Sequence, residues 1–470
     1  MAAAVAAFKA LLGPLGWSED PAVLAPHLRD WRGRYTGSTA IMLMPNTTIQ
    51  AAEIVKIASQ YVIPLVPQGG NTGLVGGATP DTSGGQVLIS MSRMNAIRSL
   101  STDDDSLVAE AGVILAHVQQ AATTANRYFP LSLASEGSAQ IGGLIATNAG
   151  GVHVLRYGSM RALVLGLEAV LPDGSILNGL SSLRKDNSGY DLKQLLIGSE
   201  GTLAIITAAT LKLFAQPRVS ATALLGLSSV DQALGVLSQL QADSGGALCA
   251  FELMPRLALD LVLKHLPQNR DPFQQVHSWY VLAELNTSAA DVPVAAMLEA
   301  SLATALKGGM ITGAVVANSE AQRAALWALR EAIPEAEKRE GVAIKHDVSV
   351  PVAAMPGFMV VATKALELRY PGTHVLAFGH LGDGNVHFNL MPAPGADGPS
   401  FLALTQEVNA HVYAMVLAAG GSISAEHGIG RLKKTALAST ADPAKLAAMQ
   451  SIKRALDPKN ILNPRIILDL

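Results

Sequence analysis

The segment 377–389 constrains the fold and the chemistry of this chain more than any other. It reads Ala-Phe-Gly-His-Leu-Gly-Asp-Gly-Asn-Val-His-Phe-Asn. Asp-Gly and Gly-Asn pairs favour the positive φ angles of tight β-hairpin turns, so His380 is predicted to end one strand and His387 to begin the returning strand. Asn389 lies two residues on and therefore on the same face as His387. In such a hairpin the two imidazoles can converge on one metal ion.

A second segment, Ala-Glu-His-Gly-Ile-Gly at 425–430, supplies a carboxylate beside a third imidazole. We predict a metal site formed by His380, His387 and Glu426. Imidazole and carboxylate ligands suit Zn²⁺, and also Mn²⁺, Fe²⁺ or Co²⁺. An ion with open coordination positions can polarise a substrate oxygen. His427 is the best candidate for the proton acceptor, because histidine titrates near neutrality.

Each of these assignments has a plainer alternative. A His-x6-His spacing alone is more often a pair of structural histidines than a pair of metal ligands. If His427 is not the proton acceptor, it is a third metal ligand or a packed surface histidine.

Composition limits the classes of partner. The chain has 470 residues, which predicts two or three domains. Its net charge is −3 and only 15% of residues are charged, so nucleic acid is not an expected partner. The single cysteine, Cys249, excludes an internal disulfide. No apolar run is long enough to span a bilayer and residues 1–9 lack a basic signal-peptide region, so a cytoplasmic location without a transmembrane segment is expected.

The first half of the chain is rich in glycine loops. Residues 68–77, Gln-Gly-Gly-Asn-Thr-Gly-Leu-Val-Gly-Gly, follow a predicted strand at 63–67. Glycines let backbone N–H groups approach an anion without obstruction by a Cβ atom. The loop matches neither a Walker P-loop nor a GxGxxG fingerprint, so neither an NTPase nor an NAD enzyme is indicated. Taken alone, the loop is equally well explained as a tight turn.

Two further glycine-containing runs, at 135–151 and 185–203, follow in a fixed order. This order resembles the FAD-binding half of the vanillyl-alcohol-oxidase-type flavoproteins. Together with the His/His/Glu segments, roughly residues 30 to 466 are similar to the FAD-dependent D-2-hydroxyacid dehydrogenases. That group includes D-lactate, D-2-hydroxyglutarate and glycolate dehydrogenases.

The resemblance implies an α+β fold. It consists of a two-part FAD-binding domain of the vanillyl-alcohol-oxidase type, an α+β substrate domain with an antiparallel sheet, and a C-terminal helical segment. The expected limits are 1–217 for the FAD-binding domain, 218–420 for the substrate and metal-binding domain, and 421–470 for a segment that completes the active site.

The resemblance also implies the residues that bind FAD, from the pyrophosphate loop through the isoalloxazine and ribityl contacts to the adenine end and a tail residue that returns to the flavin. They are Pro67, Gln68, Gly69, Gly70, Asn71, Thr72, Gly76, Gly77, Gly137, Ser138, Gly142, Gly143, Thr147, Asn148, Gly151, Glu200, Gly201, Ile206 and Asn463. Some relatives attach FAD covalently through a histidine of the glycine loop. No histidine lies between Gln68 and Gly77, so noncovalent FAD is expected; His153 is the nearby alternative for a linkage.

By the same resemblance, Arg330 and Lys345 match positions that bind the substrate carboxylate, and Asn389 joins them. The plainer alternative for Arg330 is an ion pair within its own helix, which is predicted to span residues 320–339. Pro334 stands where the hydroxyglutarate enzymes carry a threonine that helps to hold the substrate, and proline cannot donate a hydrogen bond. Lactate, malate and aromatic hydroxyacids therefore stay open as substrates.

The expected reaction is the FAD- and metal-dependent oxidation of a D-2-hydroxyacid to the 2-keto acid, with His427 as the base. A separate flavoprotein, quinone or cytochrome is expected to accept the electrons, and a homodimer is one expected assembly. Two alternatives stay open: a metal-dependent hydrolase that uses the same His/His/Glu set, and a flavoprotein subunit of a larger glycolate-oxidase-like complex.

Overall fold

The computed structural model describes residues 1–470. The strands are β1 (Trp17–Ser18), β2 (Met42–Leu43), β3 (Leu65–Gln68), β4 (Val87–Ser90), β5 (Ile97–Ser101), β6 (Ser106–Glu110), β7 (Arg127–Tyr128), β8 (Val164–Val170), β9 (Ile176–Gly179), β10 (Ile205–Lys212), β11 (Phe214–Ala215), β12 (Val219–Leu227), β13 (Leu248–Pro255), β14 (Trp279–Thr287), β15 (Gly313–Val316), β16 (Ile344–Ser349), β17 (His374–His380) and β18 (Asn385–Met391).

The α-helices are α1 (Ala2–Leu12), α2 (Pro21–Leu24), α3 (Thr48–Tyr61), α4 (Leu115–Thr124), α5 (Ile141–Ala146), α6 (Val154–Tyr157), α7 (Met160–Leu163), α8 (Leu192–Leu196), α9 (Gln232–Asp243), α10 (Arg256–His265), α11 (Val294–Lys307), α12 (Glu320–Glu331), α13 (Ile333–Glu340), α14 (Met355–Arg369), α15 (Gly398–Ala403), α16 (Thr405–Ala418), α17 (Lys434–Thr440) and α18 (Pro443–Leu456). Short 3₁₀ helices span Ala25–His27 and Val352–Ala354.

Contacts within the chain divide it into two units. The first comprises residues 1–150, 158–216 and 427–470, and the second comprises residues 151–157 and 217–426. In this division residues 427–470 group with the first unit, and residues 151–157 and 421–426 group with the second. The functional domain limits themselves stay a prediction.

The first unit contains two main sheets. In the four-stranded sheet β1-β2-β4-β3, strand β4 pairs in parallel with β2 and β3. The five-stranded sheet β5-β6-β10-β8-β9 is antiparallel throughout. Strand β4 is buried along its whole length, as expected for a strand of a parallel sheet covered on both faces. Helix α3 begins after Thr47, whose hydroxyl accepts a hydrogen bond from the N–H of Gln50.

A buried ion pair attaches the C-terminal tail to the first unit. The Lys453 ammonium donates to Asp457 and to the carbonyl oxygens of Thr202 and Leu462. The Asp457 carboxylate accepts the N–H groups of Ile461 and Leu462. All donors and acceptors of this buried pair are thus satisfied, and the tail is held beside β3, where Leu462 bridges to Leu65.

The second unit is organised around one antiparallel sheet of seven strands in the order β15-β12-β14-β13-β17-β18-β16. Helix α12 packs on β12 and β14. The sequence predicted a single helix over 320–339, but the structure ends α12 at Glu331 and begins α13 at Ile333. Pro334 is the reason, because proline lacks an N–H and clashes with a preceding helical turn, whereas it fits the first turn of a new helix.

The predicted histidine hairpin is confirmed. His380 ends β17 and pairs with Asn385, so the returning strand starts two residues earlier than His387. Gly384 in the turn has φ +82°, and a Cβ atom there would lie 2.1 Å from the carbonyl oxygen of Val350. Only glycine tolerates this combination of φ and contact.

The strand register gathers polar residues on one face of this sheet. Asp347 of β16 lies opposite His387 of β18, which in turn lies opposite Phe378 of β17. His380, two residues beyond Phe378, lies opposite Glu252 of β13. Because paired residues in an antiparallel sheet share a face, Asp347, His387, His380 and Glu252 all project to the same side.

The one cysteine of the chain lies at an irregularity of the sheet. The register of β13 against β14 shifts between Leu248 and Ala250, and Cys249 occupies this bulge. The residue is fully buried. Burial raises the pKa of its thiol far above the usual range, and the neighbouring Glu284 carboxylate adds to the rise.

None of the helices combines the length and the hydropathy of a membrane-spanning segment. The expected cytoplasmic location stays a prediction.

We predict that Asp457→Ala lowers the free energy of unfolding of the protein by about 3–5 kcal/mol, the usual cost of leaving one member of a buried ion pair without its partner. The measurement is urea unfolding followed by circular dichroism. Glu19→Ala is the matched control, because Glu19 pairs with Lys9 at the surface and such pairs contribute at most about 1 kcal/mol. Equal effects of the two substitutions would contradict the role of the Asp457 pair.

Candidate active site

A cleft opens in the first unit, and its lining combines glycines, apolar side chains and a few polar groups, as in small-molecule sites. Thirteen of the predicted FAD-binding residues line it: Pro67, Gln68, Gly69, Gly70, Asn71, Thr72, Gly77, Gly142, Gly143, Thr147, Glu200, Gly201 and Ile206. The remaining lining residues were not predicted as cofactor-binding: Gly73, Val75, Ala78, Met91, Ala139, Gln140, Leu144, Ala146, Ala204, Ile205 and His427.

Glycine lets the walls of this cleft approach one another. A Cβ atom at Gly70 would lie 2.0 Å from the carbonyl oxygen of Ser138. Gly201 has φ +71°, and a Cβ atom there would lie 2.5 Å from Cγ of Pro67. Gly143 differs, because nothing lies within 4 Å of its would-be Cβ atom. The first two glycines are therefore needed for packing, while Gly143 leaves space in the cleft itself.

Three predicted cofactor residues use their side chains to hold the walls. The Gln68 amide donates to the carbonyl oxygens of His27 and Ala78 and so joins the two ends of the glycine loop. The Asn71 amide donates to the carbonyl oxygens of Pro26 and Arg29. Asn463 donates to the carbonyl oxygens of Gly77 and Glu200.

Several other predicted cofactor residues lie away from the lining. Asn463 stands behind it, and the Asn148 side chain accepts hydrogen bonds from Ser159 and from the N–H of Arg161. Gly76, Gly137 and Ser138 also do not line the cleft. Gly151 belongs to the second unit. Direct contact of these residues with FAD stays a prediction.

The polar groups of the cleft fit FAD. Gln140, which precedes α5, has a buried side-chain oxygen with no hydrogen-bond partner in the protein, and an unsatisfied buried acceptor calls for a donor from a ligand. The isoalloxazine N–H and the ribityl hydroxyls are such donors. The signal for Gln140 was present in the sequence, inside the glycine-containing run at 135–151.

Glu200 fixes the chain segment that follows His427. Its buried carboxylate accepts the N–H groups of Ile429 and Gly430 at 2.7 and 2.8 Å. Burial raises the pKa of Glu200 to about 7, although these hydrogen bonds and the charge of Lys433 oppose the rise. A Cβ atom at Gly428 would lie 2.8 Å from the same carboxylate. His427 is thereby attached to the lining of the cleft.

The second unit brings together a group of metal-binding side chains. Asp347, His387 and Glu426 each offer one donor atom within 4.8 Å of the others. Nε2 of His387 lies 3.9 Å from Glu426 and its Nδ1 lies 3.9 Å from Asp347. The rings of His380 and His387 are 5.6 Å apart between centroids. The structure thus places His387 beside Glu426 and Asp347, whereas His380, whose ring neighbours that of His387, is not one of the residues whose donor atoms converge.

Asp347 was not predicted from the sequence. One of its carboxylate oxygens accepts the N–H groups of Ala425 and Glu426, and the other accepts from the side-chain amide of Asn385. It therefore holds the backbone of the Glu426 segment against the hairpin. Its position follows from the pairing of β16 with β18, which a single sequence does not reveal.

The electrostatics of this group favour a cation. Burial and the carboxylates of Asp347 and Asp383 raise the pKa of Glu426 to about 7, although His380 opposes the rise. Burial also raises the pKa of Asp383. The two carboxylates and the imidazole of Asp347, Glu426 and His387 form a donor set that a divalent ion would stabilise.

Glu252, also missed in the sequence, contacts both His380 and Arg330. Its two oxygens accept from His380 Nδ1 at 2.7 Å and from Arg330 Nε at 2.8 Å. Burial raises the pKa of Glu252, but the charges and hydrogen bonds of the two partners outweigh burial and hold it at about 2. Burial lowers the pKa of His380, whereas contact with Glu252 raises it to about 9.

The three residues predicted to bind substrate are all buried or half-buried. Arg330 lies over the ring of Phe378, 4.9 Å from its centroid. The Lys345 ammonium lies 2.6 Å from Glu337. Lys345 and Asn389 are directly opposed on β16 and β18, and the Asn389 side-chain oxygen accepts the N–H of His346. Their role in substrate binding stays a prediction.

We predict that Gly143→Leu lowers flavin content without unfolding the protein, because the new side chain would project into the cleft. Crowding of this kind costs about 1–3 kcal/mol, which weakens FAD binding roughly tenfold. The measurement is the ratio of visible flavin absorbance to protein in the purified variants. Gly357→Leu is the matched control: nothing lies within 4 Å of its would-be Cβ atom, and the residue belongs to α14 and does not line the cleft. Equal flavin loss in both variants would contradict the assignment.

Two protein families match the chain. The FAD binding domain family matches residues 39–179, and the family of FAD linked oxidases, C-terminal domain, matches residues 216–467. Among solved structures, p-cresol methylhydroxylase superposes with a TM-score of 0.76 at 16% identity, covering 100% of this chain and 97% of that one. An alkyldihydroxyacetonephosphate synthase superposes with a TM-score of 0.74 at 17% identity, covering 99% and 85%. These likenesses confirm the predicted α+β flavoprotein fold.

Curated relatives match along almost the whole chain. D-2-hydroxyglutarate dehydrogenase of Xanthomonas citri pv. viticola is 39% identical, over 95% of this chain and 92% of the relative. The mitochondrial D-2-hydroxyglutarate dehydrogenase of Arabidopsis thaliana is 38% identical, over 99% and 81%. A putative mitochondrial D-lactate dehydrogenase of Schizosaccharomyces pombe is 36% identical, over 98% and 89%. The protein therefore belongs to the FAD-dependent D-2-hydroxyacid dehydrogenases, oxidoreductases of the FAD-linked oxidase family.

Proposed function

We propose that the protein oxidises a D-2-hydroxyacid, such as D-2-hydroxyglutarate or D-lactate, to the 2-keto acid, with noncovalently bound FAD as the hydride acceptor. A divalent metal, for which Zn²⁺ is the expected ion, would be held by His380, His387 and Glu426. The main support is the group of His387, Glu426 and Asp347, whose donor atoms lie within 4.8 Å of one another, together with the His380 ring 5.6 Å from that of His387. Glu426 is followed directly by His427, which lines the FAD cleft.

In this proposal each bound group supplies one kind of chemistry. A bound metal ion would lower the pKa of a coordinated hydroxyl, and bound FAD would supply a hydride acceptor for C2 of the acid. The chain supplies the remaining steps. His427 removes the hydroxyl proton, since a neutral imidazole is a proton acceptor near neutral pH. Loss of this proton and of the hydride from C2 converts the hydroxyacid into the 2-keto acid, so all of its atoms are accounted for.

Arg330 and Lys345 bind and orient the substrate carboxylate in this scheme. The Nε group of Arg330 donates to Glu252. The two Nη groups of the guanidinium are left for the substrate, and two parallel N–H donors suit a carboxylate bound through both of its oxygens. Lys345 stands opposite Asn389 on the neighbouring strand. A fixed carboxylate determines which face of C2 is presented for hydride transfer.

The choice between substrates rests on two opposing observations. Relatives named D-2-hydroxyglutarate dehydrogenase match the chain at 38–39% identity. Pro334 opposes this, because it serves here as the second residue of α13 and has no N–H or hydroxyl to donate to a second carboxylate. We therefore propose D-2-hydroxyacids as the substrate class; a titration with several acids distinguishes the group carried by C2.

A second candidate is a flavoprotein subunit of a larger glycolate-oxidase-like complex, which would bind FAD without oxidising hydroxyacids by itself. The metal-dependent hydrolase alternative has no support from the family matches. In either flavoprotein case we propose a separate flavoprotein, quinone or cytochrome as electron acceptor, and a homodimer as the assembly.

The test is an anaerobic titration of the purified protein with D-lactate, L-lactate, D-2-hydroxyglutarate and D-malate, with the flavin band recorded after each addition. We expect bleaching by D-acids only, loss of bleaching after removal of metal by a chelator, and recovery when Zn²⁺ is restored. Unchanged bleaching in protein verified to be metal-free would remove the metal from the mechanism. A flavin spectrum that no acid bleaches in the metal-loaded protein would favour the subunit alternative.

We also predict that His427→Ala reduces the rate of flavin bleaching by roughly 100- to 10,000-fold, the usual contribution of a general base, while FAD stays bound. The rate is measured by anaerobic stopped-flow with the acid that bleaches the wild type. His374→Ala is the control, since His374 is exposed at the start of β17. Near-normal reduction in His427→Ala would exclude His427 as the base.

A further inference from the structure

Glu252 is the most fully buried acidic residue at the centre of the second unit, with 0% of its surface exposed. Strand pairing places it opposite His380 on one side and opposite Leu282 on the other. A carboxylate in this position is costly unless both of its oxygens are hydrogen-bonded. Both are: His380 donates to one and Arg330 to the other.

The contact with His380 determines which ring nitrogen can bind a metal. Nδ1 of His380 carries the proton that it donates to Glu252 at 2.7 Å. In a neutral imidazole with a proton on Nδ1, the lone pair is on Nε2. Carboxylates that hold a ligand histidine in this way fix its tautomer and orientation and increase its basicity as a ligand.

The contact with Arg330 fixes the plane of the guanidinium group. Nε is held by Glu252 at 2.8 Å, and the group lies over the ring of Phe378. These two contacts, one at the edge and one at the face, remove the rotation that a long side chain would otherwise keep. The two Nη groups are then oriented before any substrate arrives, which reduces the entropy lost on binding.

We propose that Glu252 is a positioning residue that sets, through its two oxygens, both the metal-binding tautomer of His380 and the orientation of Arg330 toward the substrate carboxylate. The inference rests on the proposed function, because it assigns His380 to the metal and Arg330 to the substrate. Its consequence is that metal affinity and substrate affinity depend on the same buried side chain.

The substitution Glu252→Gln tests whether the carboxylate positions its two partners or only fills volume in the core. The amide keeps the shape of the side chain but offers one oxygen acceptor and one NH₂ donor. Both partners are donors, so either His380 or Arg330 would face an N–H group. A glutamine therefore cannot hold both partners in their present orientations.

Glu284 provides a matched control. It lies on the neighbouring strand β14, is 3% exposed, and also accepts hydrogen bonds from helix α12, in this case from Arg323 and Trp327. It makes no hydrogen bond or ion pair with His380, His387 or Glu426. Glu284→Gln thus perturbs a buried carboxylate on the same sheet without touching the proposed ligands.

The experiment measures Zn²⁺ affinity of FAD-loaded wild type, Glu252→Gln and Glu284→Gln by competition with a chromophoric chelator. We expect Glu252→Gln to weaken binding about 10- to 100-fold, the usual effect of losing such a carboxylate, and Glu284→Gln to leave it unchanged. In steady-state assays Glu252→Gln should also raise the KM for the D-acid roughly tenfold, as a disordered carboxylate-binding arginine would.

The outcomes are distinguishable. Equal Zn²⁺ affinity in the two variants would overturn the role of Glu252 while the proposed function stands, because wild-type Zn²⁺ binding and flavin bleaching test that function separately. A wild type that binds no Zn²⁺ would overturn both. If Glu252→Gln does not fold, Glu252→Asp keeps the charge on a shorter side chain that cannot reach both partners, and unchanged Zn²⁺ affinity and KM in that variant would likewise overturn the proposal.

Discussion

The antiparallel pairing of β17 with β18 on one side and with β13 on the other determines which polar groups meet in the second unit. A hairpin register cannot slip by one residue without turning every side chain to the opposite face. In the observed register His380, His387, Asp347 and Glu252 project to one side of the sheet. Strand pairing therefore positions these two histidines and two carboxylates, while Glu426 comes from a loop segment whose backbone is bound by Asp347.

Two buried carboxylates of this sheet are paired with side chains that donate hydrogen bonds to them. Glu252 balances His380 and Arg330, and Glu284 balances Arg323 while accepting from Trp327. Arg323, Trp327 and Arg330 recur at the spacing of one helix face, so α12 pairs with two carboxylates of the sheet. Asp347 and Glu426 beside His387 instead bring their donor atoms together with the imidazole, an arrangement suited to an ion.

In the first unit, close backbone contacts and amide hydrogen bonds hold the walls of the cleft. Gly70 and Gly201 let separate segments touch, while Gln68 and Asn463 join those segments through amide hydrogen bonds. The lining of the cleft is consequently built by residues that are far apart in sequence but need little side-chain volume.

The sequence predicted the hairpin, the glycine loop and the residues His380, His387 and Glu426, because turn preferences and local motifs carry them. It did not predict Glu252, which meets His380 across 128 positions of the chain, nor Asp347, whose place depends on a third strand. Both are ordinary acidic residues in strands, without a local signal. Pro334 was noticed for its missing donor, yet its effect on the helix at 320–339 was not foreseen.

The burial of Cys249 in the bulge of β13 has a practical consequence. A fully enclosed thiol with a strongly raised pKa is a poor nucleophile, and the chain contains no other cysteine. Any cysteine introduced at an exposed position would therefore be the one rapidly alkylated thiol of the molecule. Spin labels, fluorophores and photo-crosslinkers can be attached singly, which makes this chain well suited to testing whether the proposed electron acceptor contacts a defined surface.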